Sequence, residues 1–189
     1  NLYNSILVGT NLDGNRFYYS TLLRVNGGNG RSEWFGCACC PPNLMRTIAA
    51  LGGYVYNVHN KDLFVNMYAA SNSNVTVDNT KVGIKQETNY PWDGKIKMTV
   101  TPEAEKEFAM KVRIPGWVSE QKNQNVTIDV NGAAVTAKVE NGYVTINRTW
   151  KSGDIVNIDI PMEIRLTESN EKVEATKGQV AIERGPIVY

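Results

Sequence analysis

Apolar side chains recur with two different periods along this chain, and the change of period divides it. Near the start, Leu2, Tyr3, Ile6 and Leu7 follow a helix-like spacing that stops at Gly9, which predicts the last turns of a helix. After the Asp13-Gly14 turn signal, the aromatic and β-branched run Phe17 to Val25 predicts a strand, closed by the glycine-rich stretch Asn26-Gly27-Gly28-Asn29-Gly30. Pro41-Pro42-Asn43 supplies a helix start, and Leu44, Met45, Ile48 and Leu51 form one apolar face before Gly52-Gly53 ends it. From Gly53 onward the period becomes two, in Tyr54-Val55-Tyr56, Leu63 to Tyr68, Val75-Thr76-Val77, Val82-Gly83-Ile84 and Ile96 to Val100. Further runs at 107–114, 125–130, 133–139, 142–147, 154–160, 162–167 and 179–189 are separated by turns such as Asn131-Gly132, Asn141-Gly142 and Ser152-Gly153. Many short strands at close turn spacing predict a mainly β fold, an antiparallel β-sandwich preceded by a short helical segment. The expected division is 1–53 for the helical part and 54–189 for the sandwich.

Composition narrows the function. At 189 residues the chain can bury a core, and 20 basic against 19 acidic side chains leave no electrostatic footprint for nucleic acid or an anionic membrane. No apolar run approaches the roughly 18 residues of a membrane span, and no basic start leads into an apolar signal segment. A neutral substrate therefore fits better than a polyanion. The start at Asn1-Leu2-Tyr3 is expected to be that of a trimmed chain. Asn74, Asn125 and Asn147 match the Asn-x-Ser/Thr pattern, which chance readily supplies in a chain this rich in asparagine. The glycine-rich stretch lacks the lysine and the strand-to-helix setting of a phosphate-binding loop, and reads as a connector.

The candidate chemistry is concentrated in Glu33-Trp34-Phe35-Gly36-Cys37-Ala38-Cys39-Cys40-Pro41-Pro42-Asn43, which holds all three cysteines. Core filling does not require thiols to cluster beside backbone-stiffening prolines, whereas a nucleophile or a metal site does call for thiols at a fixed place. Spacing this tight is a poor disulfide framework. Because the cysteines precede a helix N-terminus, its N–H groups and macrodipole are expected to favour a thiolate. A tetrahedral metal site needs four ligands, of which Cys39 and Cys40 can supply two, with Cys37 a local candidate and Glu33 and His59 weaker ones. No second Cys-x-x-Cys and no histidine pair exists, so the chain does not encode a self-contained zinc finger. His59 is the only histidine, which argues against a serine or cysteine hydrolase of the His-dependent kind. No carboxylate pair stands out for ordinary glycoside hydrolysis. Tyr90-Pro91-Trp92-Asp93-Gly94 and Arg113-Ile114-Pro115-Gly116-Trp117 set aromatics beside turns, where a sugar could stack; caps on the core are the expected role.

Taken in order, four segments resemble glycoside hydrolase family 127, the β-L-arabinofuranosidase family. They are Trp34 to Asn43 with Arg46, Tyr90 to Gly94, Arg113 to Trp117, and Arg184-Gly185-Pro186 followed by Tyr189. The resemblance implies a retaining hydrolase in which a zinc-bound cysteine attacks the anomeric carbon. By position in the motif that nucleophile would be Cys39, with Cys39 and Cys40 as zinc ligands. A glutamate and a third cysteine from an upstream segment would complete the zinc site, and a separate upstream glutamate would act as acid and base. The family carries an (α/α) barrel ahead of the cysteine motif, so residues 1–53 would be the end of that barrel. The implied partners are arabinose-containing glycans and the missing barrel of the parent chain, with no nucleic acid and no membrane. The isolated chain is expected to lack hydrolase activity and to bind zinc weakly or not at all. A non-catalytic sandwich that supports a catalytic domain or binds carbohydrate is the alternative.

Overall fold

A computed structural model describes residues 3–4, 11, 13, 15–16, 33, 39–119 and 125–189. The expected strand at Phe17 to Val25, the glycine-rich connector, Cys37 and most of the first expected helix lie outside the described residues. The chain divides into two compact units, Gly52–Glu163 on one side and Asn1–Leu51 with Ile164–Tyr189 on the other.

The first unit is a two-layer β-sandwich. After a single helical turn, α2 (Gly52–Val55), the strands are β1 (Tyr56–His59), β2 (Asp62–Val65), β3 (Ser71–Val77), β4 (Thr80–Thr88), β5 (Lys95–Pro102) and β6 (Lys106–Arg113). A short helix, α3 (Gly116–Ser119), leads to β7 (Thr127–Val130), β8 (Ala133–Ala134), β9 (Val139–Glu140), β10 (Tyr143–Trp150) and β11 (Asp154–Asp159). One sheet has the order β1-β2-β6-β10-β9 and the other β3-β4-β5-β11-β7-β8. All pairs are antiparallel except β2 with β6, which run parallel, Leu63 facing Met110 and Val65 facing Val112. The parallel pair arises because the chain leaves the first sheet after β2, builds β3 to β5 in the other, and returns beside β2.

Alternation decides what each strand buries. In β5, Ile96, Met98, Val100 and Pro102 are buried while Lys95, Lys97 and Thr101 are exposed. In β6, Phe108, Met110 and Val112 point inward, and across the ladder Met110 faces Ile146 and Val112 faces Val144. Together with Leu63, Val65, Val82, Ile84, Val156 and Ile158 these residues form one core between the sheets. Each such side chain contributes about 1.5–3 kcal/mol by leaving water, so the core rather than the turns stabilises the unit. Trp150 is fully buried, stacks on Phe108 at 5.6 Å, and donates its indole N–H to the Phe108 carbonyl at 3.0 Å.

In the second unit, α1 (Cys40–Ala50) is the helix that Pro41 and Pro42 start. Strands β12 (Ile164–Glu168), β13 (Val180–Arg184) and β14 (Ile187–Val188) form a three-stranded antiparallel sheet of their own. The Asn4 side chain ties the two segments of this unit: its Nδ2 donates to the Pro186 carbonyl at 2.9 Å and its Oδ1 accepts from Val188 N–H at 3.2 Å. Across the β12–β13 ladder Arg165 pairs with Glu183 at 2.7 Å and donates to the Gly185 carbonyl at 3.1 Å.

Candidate functional site

Cys39 is the N-cap of α1, exposed, and its carbonyl accepts the first intrahelical hydrogen bond, from Asn43 N–H at 3.2 Å. No side-chain cap closes this end. Cys40 is the first helical residue, followed by the two prolines. Prolines suit the first turn because the N–H groups they lack have no intrahelical partner there. They also change the expected electrostatics. A helix start ordinarily presents about four unbonded N–H groups to an anion, and here positions 41 and 42 present none. This helix start therefore offers fewer N–H donors than an ordinary one.

The helix holds Arg46 by its own Asn43, whose side-chain oxygen accepts from the guanidinium, while Thr47 donates its hydroxyl to the Asn43 carbonyl at 2.8 Å. Of the expected apolar face, Leu44 and Leu51 are partly buried, while Met45 and Ile48 are 65% and 46% exposed. Glu33 is exposed and forms an ion pair with Arg16. His59 lies exposed on β1 in the other unit, opposite Asp62. Among the described residues no group of three His, Cys, Asp or Glu side chains could hold a metal ion. The structure therefore places Cys39 and Cys40 side by side in the chain, with Glu33 engaged elsewhere and Cys37 outside the described residues.

The two aromatic turns meet in the sandwich. In Tyr90 to Gly94, Thr88 accepts from Tyr90 N–H at 3.0 Å and donates to the Lys95 carbonyl at 2.7 Å. Trp92 N–H donates to the Asn89 carbonyl at 2.8 Å, and Asp93 accepts from Lys95 N–H at 3.0 Å. The Tyr90-Pro91 bond is cis, and Pro91 is buried. Trp92, expected as a cap on the core, is instead 58% exposed, while the preceding Pro91 is buried. In Arg113 to Trp117, Ile114 is buried, its N–H donates to the Gly142 carbonyl at 2.8 Å, and Trp117 packs half-buried on the core as expected. Tyr68 joins the turns: its hydroxyl donates to the Arg113 carbonyl and its ring meets Tyr90 edge-on at 5.8 Å. Burial, reinforced by the neighbouring Tyr90, pushes the Tyr68 phenol well above the usual tyrosine value. Sequence reasoning missed Tyr68, since a tyrosine in an alternating run reads as ordinary core.

Comparison with known families decides what these segments are. Residues 1–53 match the catalytic domain of the GH127 β-L-arabinofuranosidases, 62–162 the GH127 middle domain, and 164–189 the C-terminal domain of glycoside hydrolase family 127. The chain belongs to glycoside hydrolase family 127. A non-reducing end β-L-arabinofuranosidase of Bifidobacterium longum subsp. longum is 31% identical over 206 residues, covering 100% of this chain and 30% of that protein. A solved GH127 β-arabinofuranosidase matches with a TM-score of 0.90 and 42% identity over 99% of this chain and 31% of its own. The GH127 β-L-arabinofuranosidase of Geobacillus stearothermophilus T6 matches with a TM-score of 0.85 and 39% identity, over 96% of this chain and 30% of its own. The chain thus spans about 30% of the length of these relatives. Cys39 and Cys40 fall within the part matched to the catalytic domain.

Proposed function

We propose that this chain is part of a retaining glycosidase that releases L-arabinofuranose from β-linked arabinosides, with Cys39 as the nucleophile. The observation that carries this reading is the exposed Cys39 at the start of α1, within the segment matched to the GH127 catalytic domain. Thiolates suit zinc, and Cys39 and Cys40 are the residues of this chain that would hold it. The remaining donors, a glutamate and a third cysteine, would come from the rest of the parent's catalytic domain.

In the reaction, the Cys39 sulfur attacks the anomeric carbon as the bond to the leaving oxygen breaks, and a glutamate of the parent protonates that oxygen. Water, deprotonated by the same glutamate, then displaces the sulfur and returns it as thiolate. Two inversions at one carbon give net retention, and microscopic reversibility lets one carboxyl serve both steps. Zinc, when bound, supplies positive charge that keeps the sulfur deprotonated at neutral pH.

The test is Cys39→Ser in the intact parent enzyme, assayed on an aryl β-L-arabinofuranoside. Turnover should disappear while the circular dichroism spectrum is unchanged; full activity in that variant excludes Cys39 as nucleophile. A carbohydrate-binding role for the sandwich is the second reading, favoured by Trp92 standing exposed on a turn fixed by hydrogen bonds. Calorimetric titration of arabinose oligosaccharides into this chain separates the two, since only that second role predicts heat of binding.

A further inference from the structure

Two hairpins of the sandwich turn on the same dipeptide. Asn131-Gly132 joins β7 to β8 and Asn141-Gly142 joins β9 to β10, each as a two-residue loop, with Val130 facing Ala133 and Glu140 facing Tyr143. Their backbones nearly coincide, with φ of 54° and 81° in the first and 50° and 81° in the second, the left-handed pair that a type I′ turn requires.

An Asn-Gly bond carries its own chemistry. The glycine nitrogen, unhindered by a Cβ, can attack the asparagine side-chain carbonyl carbon. A C–N bond forms, the side-chain nitrogen leaves as ammonia, and the resulting cyclic imide is opened by water at either carbonyl to give aspartate or isoaspartate. One water is consumed, one ammonia is released, and nothing is oxidised or reduced. The reaction needs a side-chain amide that can turn over the next N–H, and an N–H that is not held elsewhere.

At the first hairpin both are held. Asn131 Nδ2 donates to Asp154 at 2.8 Å, Asn131 Oδ1 accepts from Ile155 N–H at 2.8 Å, and Gly132 N–H donates to Asp129 at 2.9 Å. Asn131 N–H is also fixed, to the Ile155 carbonyl at 2.9 Å. At the second hairpin, among the described residues, neither the Asn141 side chain nor Gly142 N–H has a hydrogen-bond partner, and both residues are exposed. Strand β9 has two residues, both exposed, and pairs with β10 alone, so the opening that lets the amide swing is local.

We propose that Asn141 is a site of spontaneous modification, deamidating in the folded protein to aspartate and isoaspartate, while Asn131 is protected by its hydrogen bonds. Isoaspartate adds a methylene to the backbone of the turn whose Gly142 carbonyl holds Ile114 N–H, so the change is felt in the Arg113 to Trp117 turn. The test is peptide mapping by mass spectrometry, with isoaspartyl methyltransferase labelling, after incubation at mildly alkaline pH, folded and in urea. Mapping separates Asn26-Gly27 and Asn29-Gly30, which lie outside the described residues. In the folded protein Asn141 should convert roughly tenfold or more faster than Asn131, a factor equivalent to about 1.4 kcal/mol. In urea the two rates should converge. Equal rates in the folded state, faster conversion at Asn131, or no conversion at Asn141 would overturn the proposal. A rate ratio that persists unchanged in urea would overturn it equally, by assigning the difference to local sequence. Asp129→Ala, which removes the acceptor of Gly132 N–H, should speed conversion at Asn131; an unchanged rate counts against protection by that bond.

Discussion

The Tyr68 hydroxyl donates to the Arg113 carbonyl at 2.5 Å while the same ring stands edge-on to Tyr90 at 5.8 Å. One buried side chain thereby fixes two turns that are 23 residues apart in sequence by the difference of 113 and 90. Tyr68→Phe keeps the ring and removes the donor to the Arg113 carbonyl. The expected loss is about 1 kcal/mol, read from the urea midpoint. The pH dependence has a defined sign. Burial, then Tyr90, raises the folded-state pKa, so the contribution is complete below the unfolded tyrosine value of about 10 and is lost as pH rises above it. The wild-type midpoint should therefore fall more steeply than that of the variant above that pH, and parallel curves would show that Tyr68 does not titrate with folding.

Gly94 has no room for a side chain. A Cβ there would lie 1.7 Å from the Ile160 carbonyl oxygen and 2.7 Å from its carbon, and the same segment is held by Ile160 N–H donating to the Gly94 carbonyl at 2.9 Å. The obstacle is backbone, so no rotamer change relieves it. Gly94→Ala should cost at least the upper end of the about 1–3 kcal/mol typical of overpacking, whereas Gly116→Ala, which meets nothing within 4 Å, should be close to neutral. Thermal melts of the two variants side by side check this contrast.

The sandwich was legible because its strands alternate strictly. Lys95 to Pro102 reads exposed and buried in turn, and only a surface with one face on a core selects for that. Helix α1 was legible from Pro41 and Pro42. Pairing was not: β2 runs parallel to β6, and nothing in the period of either strand distinguishes a parallel neighbour from an antiparallel one. The strands after Ile164 were equally readable as strands, yet they form a sheet of their own, since alternation marks a buried face without saying which sheet covers it. At the candidate site, the cysteine cluster and the prolines that start α1 were visible in the sequence; the structure adds Cys39 as the N-cap and Cys40 as the first helical residue.

Asp154 is a buried carboxylate, 7% exposed, at the turn between β10 and β11. It accepts from Lys151 N–H at 2.9 Å and from the Asn131 side chain at 2.8 Å, with the Arg148 guanidinium 3.6 Å away. Burial works to raise its pKa, but the Lys151 and Asn131 hydrogen bonds and the charge of Arg148 outweigh it, and the net direction is down. A depressed carboxylate stabilises the fold above the unfolded aspartate value of about 3.9, and that contribution is lost as pH falls through the lower folded value. Asp154→Asn should cost about 1–3 kcal/mol at neutral pH, since an amide cannot accept both bonds with the same geometry and charge. It should also flatten the acid limb of stability against pH. An acid limb as steep as wild type would assign the loss below pH 4 (about the ordinary carboxylate value) to other groups.

Zinc sites use about four ligands, or three with an open position for catalysis. This chain has three cysteines and one histidine in all, and its described residues hold no cluster of three metal-binding side chains. Glu33 forms an exposed ion pair with Arg16. Purified alone, the chain should therefore show negligible hydrolysis of an aryl β-L-arabinofuranoside and less than stoichiometric zinc after exchange into metal-free buffer at neutral pH. Inductively coupled plasma mass spectrometry reads the second quantity independently of the first. Turnover by the isolated chain would mean that the acid/base group lies within these 189 residues. Stoichiometric zinc without turnover would mean instead that residues of this chain complete the site beside Cys39 and Cys40, and that the acid/base group is supplied from elsewhere in the parent.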